Sequence, residues 1–592
     1  MSPSGPNRGV LRRGALSRRT LLGGALVGLV PLSGCVRIPT SGGIEPVDAE
    51  PRQADPSVAV AADPPQSGSA PLGIVTGFLQ AMAYYQPDYA RAREYLASGV
   101  RAKWRPEEGV RVFADNYYPT ATDRSASLSA PVVGRIGADG SYRPTTGDIS
   151  LDFGLVQEDR EWRIGHPPPG LLVSQYDFAQ FYQSYNLYFY EPTMTSLVPD
   201  PIFLPGGNQT ATSLVTRLLR GPSDWLTAGV VSAMPGQTTL NVSAPISATG
   251  VVEVSFNDAI AGLNDQQRSQ VAAQVTWTLR QISGVTGVRL LMNGTPWSVP
   301  RDEVDGVVPI NALQFDGPVP PQLSSALVGA TPAGVIRIED NGQTTEVPGT
   351  WARVKGISSL ALSADGTGVA AVVGQALRTG RLDDSQPAQV VTGERLLRPQ
   401  FARDGGLWTI DSRSGGGSVV WRVGNGGKAE RVRAPALADG RVVAYRLSPD
   451  GVRMAVLLQR GSDVQLGLVL VNRSKTAPVL ESWRTIALYL AQRDRVSQLT
   501  DVAWLDATDL MVLGAVGRTA PLGPYVTAQD GATTQSVGNP DQWNATMIAA
   551  SPRDPAAVRA VLRGSGGQVW RYEDDFTWVQ IADGVTTVAF PG

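Results

Sequence analysis

One cysteine and one histidine are all that this chain of 592 residues carries, and that scarcity removes whole classes of chemistry. A disulfide framework needs pairs of thiols, and a Cys/His zinc centre needs several such ligands. A Ser-His-Asp relay would have to use His166. That residue follows the alternating segment Trp162-Arg163-Ile164-Gly165 and enters the rigid Pro167-Pro168-Pro169-Gly170, so it reads as a strand-end residue. There is no Gly-x-Ser-x-Gly elbow and no His-Glu-x-x-His, and Gly427-Lys428 is followed by Ala429, not the hydroxyl residue a phosphate-binding loop needs. A basic excess is missing too. Lys and Arg number 51 against 53 Asp and Glu, for a net charge of -2, which excludes nucleic acid as the main partner. Adjacent acids occur at Asp383-Asp384 and Glu573-Asp574-Asp575, but glycoside hydrolysis needs two carboxylates converging from separate elements. These pairs read as solvated turns. No catalytic residue, metal ligand or cofactor is expected, and the chain is not expected to be an enzyme.

What is present begins at the N-terminus. Arg8, Arg12, Arg13, Arg18 and Arg19 form a basic stretch without an acid, followed by an apolar stretch over 21–32 interrupted by glycines. That stretch is too short for a stop-transfer helix. It ends in Leu32-Ser33-Gly34-Cys35, which resembles the bacterial lipobox, so residues 1–34 read as a lipoprotein signal peptide and Cys35 as the site of lipid attachment. The covalent diacylglycerol and N-acyl chain expected on Cys35 would anchor firmly, since each buried methylene contributes about 0.8 kcal/mol. Ser17-Arg18-Arg19-Thr20-Leu21-Leu22 also resembles a twin-arginine export motif; the general and twin-arginine routes both fit. No later run reaches eighteen uninterrupted apolar residues. The expected location is therefore the extracytoplasmic face of a cell membrane, held by lipid. Residues 35–70, rich in Pro, Ala, Ser, Gly and Asp, read as a flexible tether.

Three folded regions follow. In 71–195, Leu72, Val75, Leu79 and Met82 recur at helical spacing, as do Ile74, Phe78 and Ala81, and Asp88 is placed to cap a second helix through Ala90, Arg93 and Leu96. Leu151, Phe153 and Leu155 alternate, and Gln157-Glu158-Asp159-Arg160 turns into Trp162 and Ile164. Helices followed by a curved antiparallel sheet suggest an NTF2-like α+β cone. In 199–314, a helix through Leu214, Val215, Leu218 and Leu219 stops at Gly221-Pro222. A strand through Val251, Val252 and Val254 leads to a helix capped by Asn264 with Gln267, whose buried stripe is Val271, Val275, Leu279 and Ile282. A strand over 288–292 and the turn Asn293-Gly294 close the unit. In 322–592 a degenerate repeat recurs every 40 to 57 residues or so, among its copies Leu362-Ser363-Ala364-Asp365-Gly366, Phe401-Ala402-Arg403-Asp404-Gly405 and Leu447-Ser448-Pro449-Asp450-Gly451, each followed by a strand. Asp-Gly supplies the positive-φ turn between strands of a propeller blade. Five to seven blades fit, with the segment from Trp570 onward closing the ring. A two-sheet sandwich is the rival. The Asp-Gly pairs lack the further acids of a calcium loop. Thirteen tryptophans leave a sugar-stacking face as an open reading.

The Leu218-to-Pro222 run, the valine strand, the capped helix and Val288-Arg289-Leu290-Leu291-Met292-Asn293-Gly294 together resemble a GerMN domain, which implies an α/β interaction module of exported proteins. The order of lipobox, cone, GerMN module and propeller, with Cys35-Val36-Arg37-Ile38-Pro39-Thr40-Ser41-Gly42 after cleavage, resembles the actinobacterial LpqB lipoproteins. That resemblance implies a partner, the ectodomain of an MtrB-like sensor kinase in the MtrAB two-component system, and with it an influence on cell-wall homeostasis and division. It offers no catalytic residues; only the acylated cysteine transfers, onto Cys35. The expected function is binding and modulation of that kinase. The rivals are a receptor for a cell-wall fragment or other ligand of unknown identity, and a propeller hydrolase.

Overall fold

The computed structural model describes residues 62–592 apart from 208, 313–316, 320–325, 384–385, 474–476, 491–493, 518–519, 539–543, 553–558 and 574–576. The expectations for Arg18, Arg19, Leu32, Ser33, Gly34, Cys35 and nearly all of the tether lie outside the described residues.

The first helix, Pro71–Ala83, starts on a proline whose missing N–H costs nothing there. It buries Ile74, Val75, Phe78, Ala81 and Met82, while Leu72 points to solvent, so the buried stripe is narrower than the sequence suggests. Asp88 does not cap the next helix. The helix Ala90–Glu94 has Tyr89 as its N-cap, Asp88 itself has φ 56°, and its carboxylate instead pairs with Arg93 at 3.0 Å. Beneath the helices lies a sheet built on the long strand Ala126–Ile136, which pairs antiparallel with Val110–Phe113, Tyr142–Pro144 and Asp148–Asp152. Val110–Phe113 also pairs in parallel with Leu171–Ser174, so the sheet is mixed, not purely antiparallel. The expected hairpin forms between Leu155–Glu158 and Glu161–Ile164, turned by Asp159 and Arg160 at positive φ.

The boundary expected between 195 and 199 falls inside another hairpin. Tyr182–Tyr190 pairs along its whole length with Leu197–Pro205, and Leu187, Phe189, Val198 and Ile202 share one core with the helices Thr210–Arg220 and Asp265–Leu279. The second layer therefore begins near Tyr182. Its centre is a parallel pair, Val251–Phe256 beside Gly287–Met292, joined through Asp265–Leu279. That helix carries the expected capping box: Asn264 Oδ1 accepts from Gln267 N and Gln267 Oε1 from Asn264 N, both at 3.0 Å.

Among the described residues the remainder forms six four-stranded sheets, the blades of a propeller. Five are continuous in sequence. The sixth combines Leu327–Ala330, Val335–Ile338 and Thr344–Glu346 with Thr587–Ala589 as its innermost strand. Closure by the far end of the chain pairs edges that would otherwise be exposed. Val569–Tyr572 and Trp578–Ala582 belong to the preceding blade, so only the last strand closes the ring. The Asp-Gly pairs are turns: Gly366, Gly405 and Gly451 have φ near 75°, and Asp365, Asp404 and Asp450 each accept the backbone N–H two residues on, at 2.9–3.0 Å.

Candidate functional site

The residues weighed for chemistry from sequence do not converge. His166 is exposed beside the hairpin, at the exit into Pro167. Asp383 pairs with Arg381 at 2.9 Å, and Glu573 pairs with Arg571, while Asp384, Asp574 and Asp575 lie outside the described residues. Among the described residues no group of three or more His, Cys, Asp or Glu could hold a metal. None of the tryptophans among them is exposed, and several rings are covered by guanidinium groups, such as Arg280 over Trp277 at 4.3 Å and Arg460 over Trp483 at 4.5 Å. That leaves little free face for sugar stacking.

Two other places do concentrate function-grade features. The first is the mouth of the propeller channel, where the ends of the inner strands meet. Arg398 is held there through both terminal nitrogens: Nη1 donates to the Ile548 carbonyl at 2.6 Å and Nη2 pairs with Asp501. Asp501 is buried and also accepts from Ile548 N at 2.8 Å. Arg446 enters the same space with less support. Its Nη1 donates to its own neighbour's carbonyl, Tyr445 O, at 2.6 Å, and among the described residues its buried Nη2 has no partner. Burial, with repulsion from Arg398 only partly offset by Asp501, pushes Arg446 down to about 9. Two cations thus share one carboxylate within walls that include Pro399, Phe401, Trp504 and Phe590. The void is about 90 Å³, well below the roughly 300–1,000 Å³ of sites for free small molecules. Gly317 comes close to this mouth, where Arg403 Nη1 donates to its carbonyl at 3.3 Å.

The second place is the junction of all three layers. Arg453, 1% exposed, reaches from its blade to donate to the carbonyl of Pro199 at 3.2 Å and of Ala507 at 3.1 Å, and it also pairs with Asp450 and Gln529. Arg484 donates to Tyr142 O of the first layer at 2.6 Å, and Trp225 Nε1 of the second layer donates to Ser482 O at 2.7 Å. Val452 and Leu470 of the propeller complete the core of the second layer. Gly229 is required by this contact, because a Cβ there would fall 2.6 Å from Leu470 Cδ1. Beside the junction opens a cavity of about 780 Å³. Its aromatic wall holds Tyr142, Phe178, Tyr182 and Phe203, with Tyr142 and Phe178 stacked at 5.9 Å. Asp530 stands at its edge, and burial raises that carboxyl and pushes the Tyr142 hydroxyl up to about 12.

From sequence, no binding role falls to the residues that form either place. Arg446 sits one residue before the Leu447-Ser448-Pro449-Asp450-Gly451 repeat, and Arg453 just after it. An arginine adjoining a blade turn was the available signal, but solvent-facing arginines are far commoner than buried ones.

Residues 64–179 match the family described as "Lipoprotein LpqB, N-terminal domain", 186–297 match "Sporulation and spore germination", and 334–591 match "Lipoprotein LpqB beta-propeller domain". The LpqB lipoprotein of Cutibacterium acnes is 32% identical, over 97% of this chain and 99% of its own length. That of Streptomyces avermitilis is 27% identical, over 94% of this chain and 97% of its own. Among solved structures, the first GerMN domain of the sporulation protein GerM from Bacillus subtilis is similar at 26% identity and a TM-score of 0.18, covering 22% of this chain and 92% of that one.

Proposed function

The chain belongs to the LpqB lipoproteins, and from that premise we propose that it is a non-catalytic recognition protein, held by lipid on Cys35 at the extracytoplasmic face of the cell membrane. Its partner is the ectodomain of an MtrB-type sensor kinase, the class the family resemblance implies. The observation that carries this reading is the unpartnered Nη2 of Arg446 in the channel mouth. A buried cation without its own counter-ion costs stability, and an acidic side chain arriving from a partner would supply both the charge and the bidentate geometry a guanidinium favours. The small void suits a side chain carried in on a folded surface better than a free metabolite. Such a contact alters signalling only if the two states of the kinase offer that side chain differently, since a ligand shifts an equilibrium only through differential affinity.

The test is photo-crosslinking in intact cells from a reactive residue at position 401. Recovery of the kinase ectodomain, abolished by Arg446→Met, supports the reading; recovery of no sensor kinase rejects it.

A second reading, a receptor for a wall fragment, is favoured by the cavity of about 780 Å³ at the three-layer junction, which lies within the usual range for ligand sites. Muropeptides or lipid precursors at a hundred times Kd should raise stability by about 2.7 kcal/mol. A flat thermal-shift screen rejects this second reading and leaves the first intact.

A further inference from the structure

The first layer carries a feature that kinase recognition does not use. Arg111, Arg135 and Arg143 lie on three adjacent strands at directly opposed positions, Arg111 facing Arg135 and Arg135 facing Arg143 in the pairing register. Opposed residues of antiparallel strands project from the same side of the sheet, so three guanidinium groups form one row spanning roughly 10 Å. Like charges placed directly opposite each other destabilise a sheet. No carboxylate forms an ion pair with the row: among the described residues none of the three arginines has a partner within ion-pair distance. Arg111 is half-buried, and its enclosed Nε has no hydrogen-bond acceptor among the described residues. The row lines a groove of about 740 Å³. Three acids stand in its wall. Asp139 is already engaged by Ser141 N at 3.0 Å and Oγ at 2.8 Å, and Glu108 and Asp224 are exposed.

We infer that this groove is a binding site for a phosphate-bearing polyanion, with Arg111 at its base and Arg135 and Arg143 closing over the charge. Guanidinium groups bind phosphate oxygens bidentately, and a row of three matches a group carrying more than one negative charge. Two sources offer that chemistry: a soluble pyrophosphate-like group and the headgroup of an anionic phospholipid. The site stands apart from the channel mouth, so its failure would leave the kinase reading untouched.

The experiment uses the full chain carrying Cys35→Ser, which removes the acyl attachment, beside the same chain with Arg135→Ala and Arg143→Ala. Both substituted arginines are exposed, and removing them relieves repulsion, so the fold should persist; circular dichroism and thermal unfolding check this. Inorganic pyrophosphate is titrated calorimetrically, and flotation compares phosphatidylglycerol vesicles with phosphatidylcholine vesicles. Pyrophosphate binding that weakens at least tenfold in the double variant supports a soluble ligand. Preferential flotation with phosphatidylglycerol, lost in the double variant and without pyrophosphate binding, supports a lipid headgroup. Binding of neither probe, or equal binding by both proteins, overturns the inference.

Discussion

Arg446 and Arg453 stand on adjacent strands of one blade, Arg446 half-buried and Arg453 fully buried, and among the described residues each has one enclosed nitrogen without an acceptor, Nη2 of Arg446 and Nε of Arg453. Arg453 has four acceptors, drawn from its own turn, its neighbouring blade and the second layer. Arg453→Met would leave Asp450 buried without its cation, and breaking a buried pair on one side costs about 3–5 kcal/mol; chemical denaturation should read that loss. Arg446 lacks an acceptor for one nitrogen. Arg446→Met should therefore stabilise the free protein, by ~1–2 kcal/mol, while removing the proposed contact, a trade of stability against function. Asp509 adds a pH signature. Burial, reinforced by Asp506 and Asp530, raises it from 3.8 to about 7. Across that interval the folded chain holds a proton that the unfolded chain has released, so stability falls as pH rises from near 4 to near 7 and stays low above. Asp509→Asn should flatten this slope, adding ~2–4 kcal/mol at pH 8 and little at pH 4. Unfolding midpoints across that range would decide it. At this scale the sequence is least informative, because nothing in the letters Arg446, Arg453 and Asp509 distinguishes them from residues facing water. Only packing from distant segments does.

Elements were legible where local chemistry settles them. Asn264 and Gln267 announce a helix start, and the capping box is there; Asn264→Ala should cost about 1 kcal/mol, measurable by thermal unfolding. The Asp-Gly pairs announce strand turns, and they are turns. Asp88 misled because an Asp before a helical stretch is as apt for a turn, and here positive φ and the ion pair to Arg93 won. Leu197–Pro205 went unseen as a strand because Pro199 and Pro201 deny it two N–H donors. It survives as an edge strand whose Pro199 carbonyl is taken by Arg453. The blade number was hidden because one blade is assembled from both ends of its domain. Val588, fully buried in the closing strand, offers a test: Val588→Asp buries an unpaired charge and should destabilise by more than ~3 kcal/mol, lowering the unfolding midpoint steeply.

For the whole molecule, sequence order announced the succession of an α+β layer, a GerMN-like module and a propeller, and the family membership agrees with that order. It did not announce that the layers share cores. Val452 and Leu470 of the propeller seal the second layer, and Arg484 ties the propeller to the first. In the proposed recognition, Arg446 receives an acidic side chain from a sensor kinase. Equilibrium binding of the full chain to the extracytoplasmic part of an MtrB-type kinase measures this directly, with Arg446→Met and Asp509→Asn compared. Saturable binding that weakens at least tenfold in the first variant, a loss of about 1.4 kcal/mol, and is unchanged in the second is the expected result. No binding by the unaltered chain, or equal affinity in all three proteins, would contradict it.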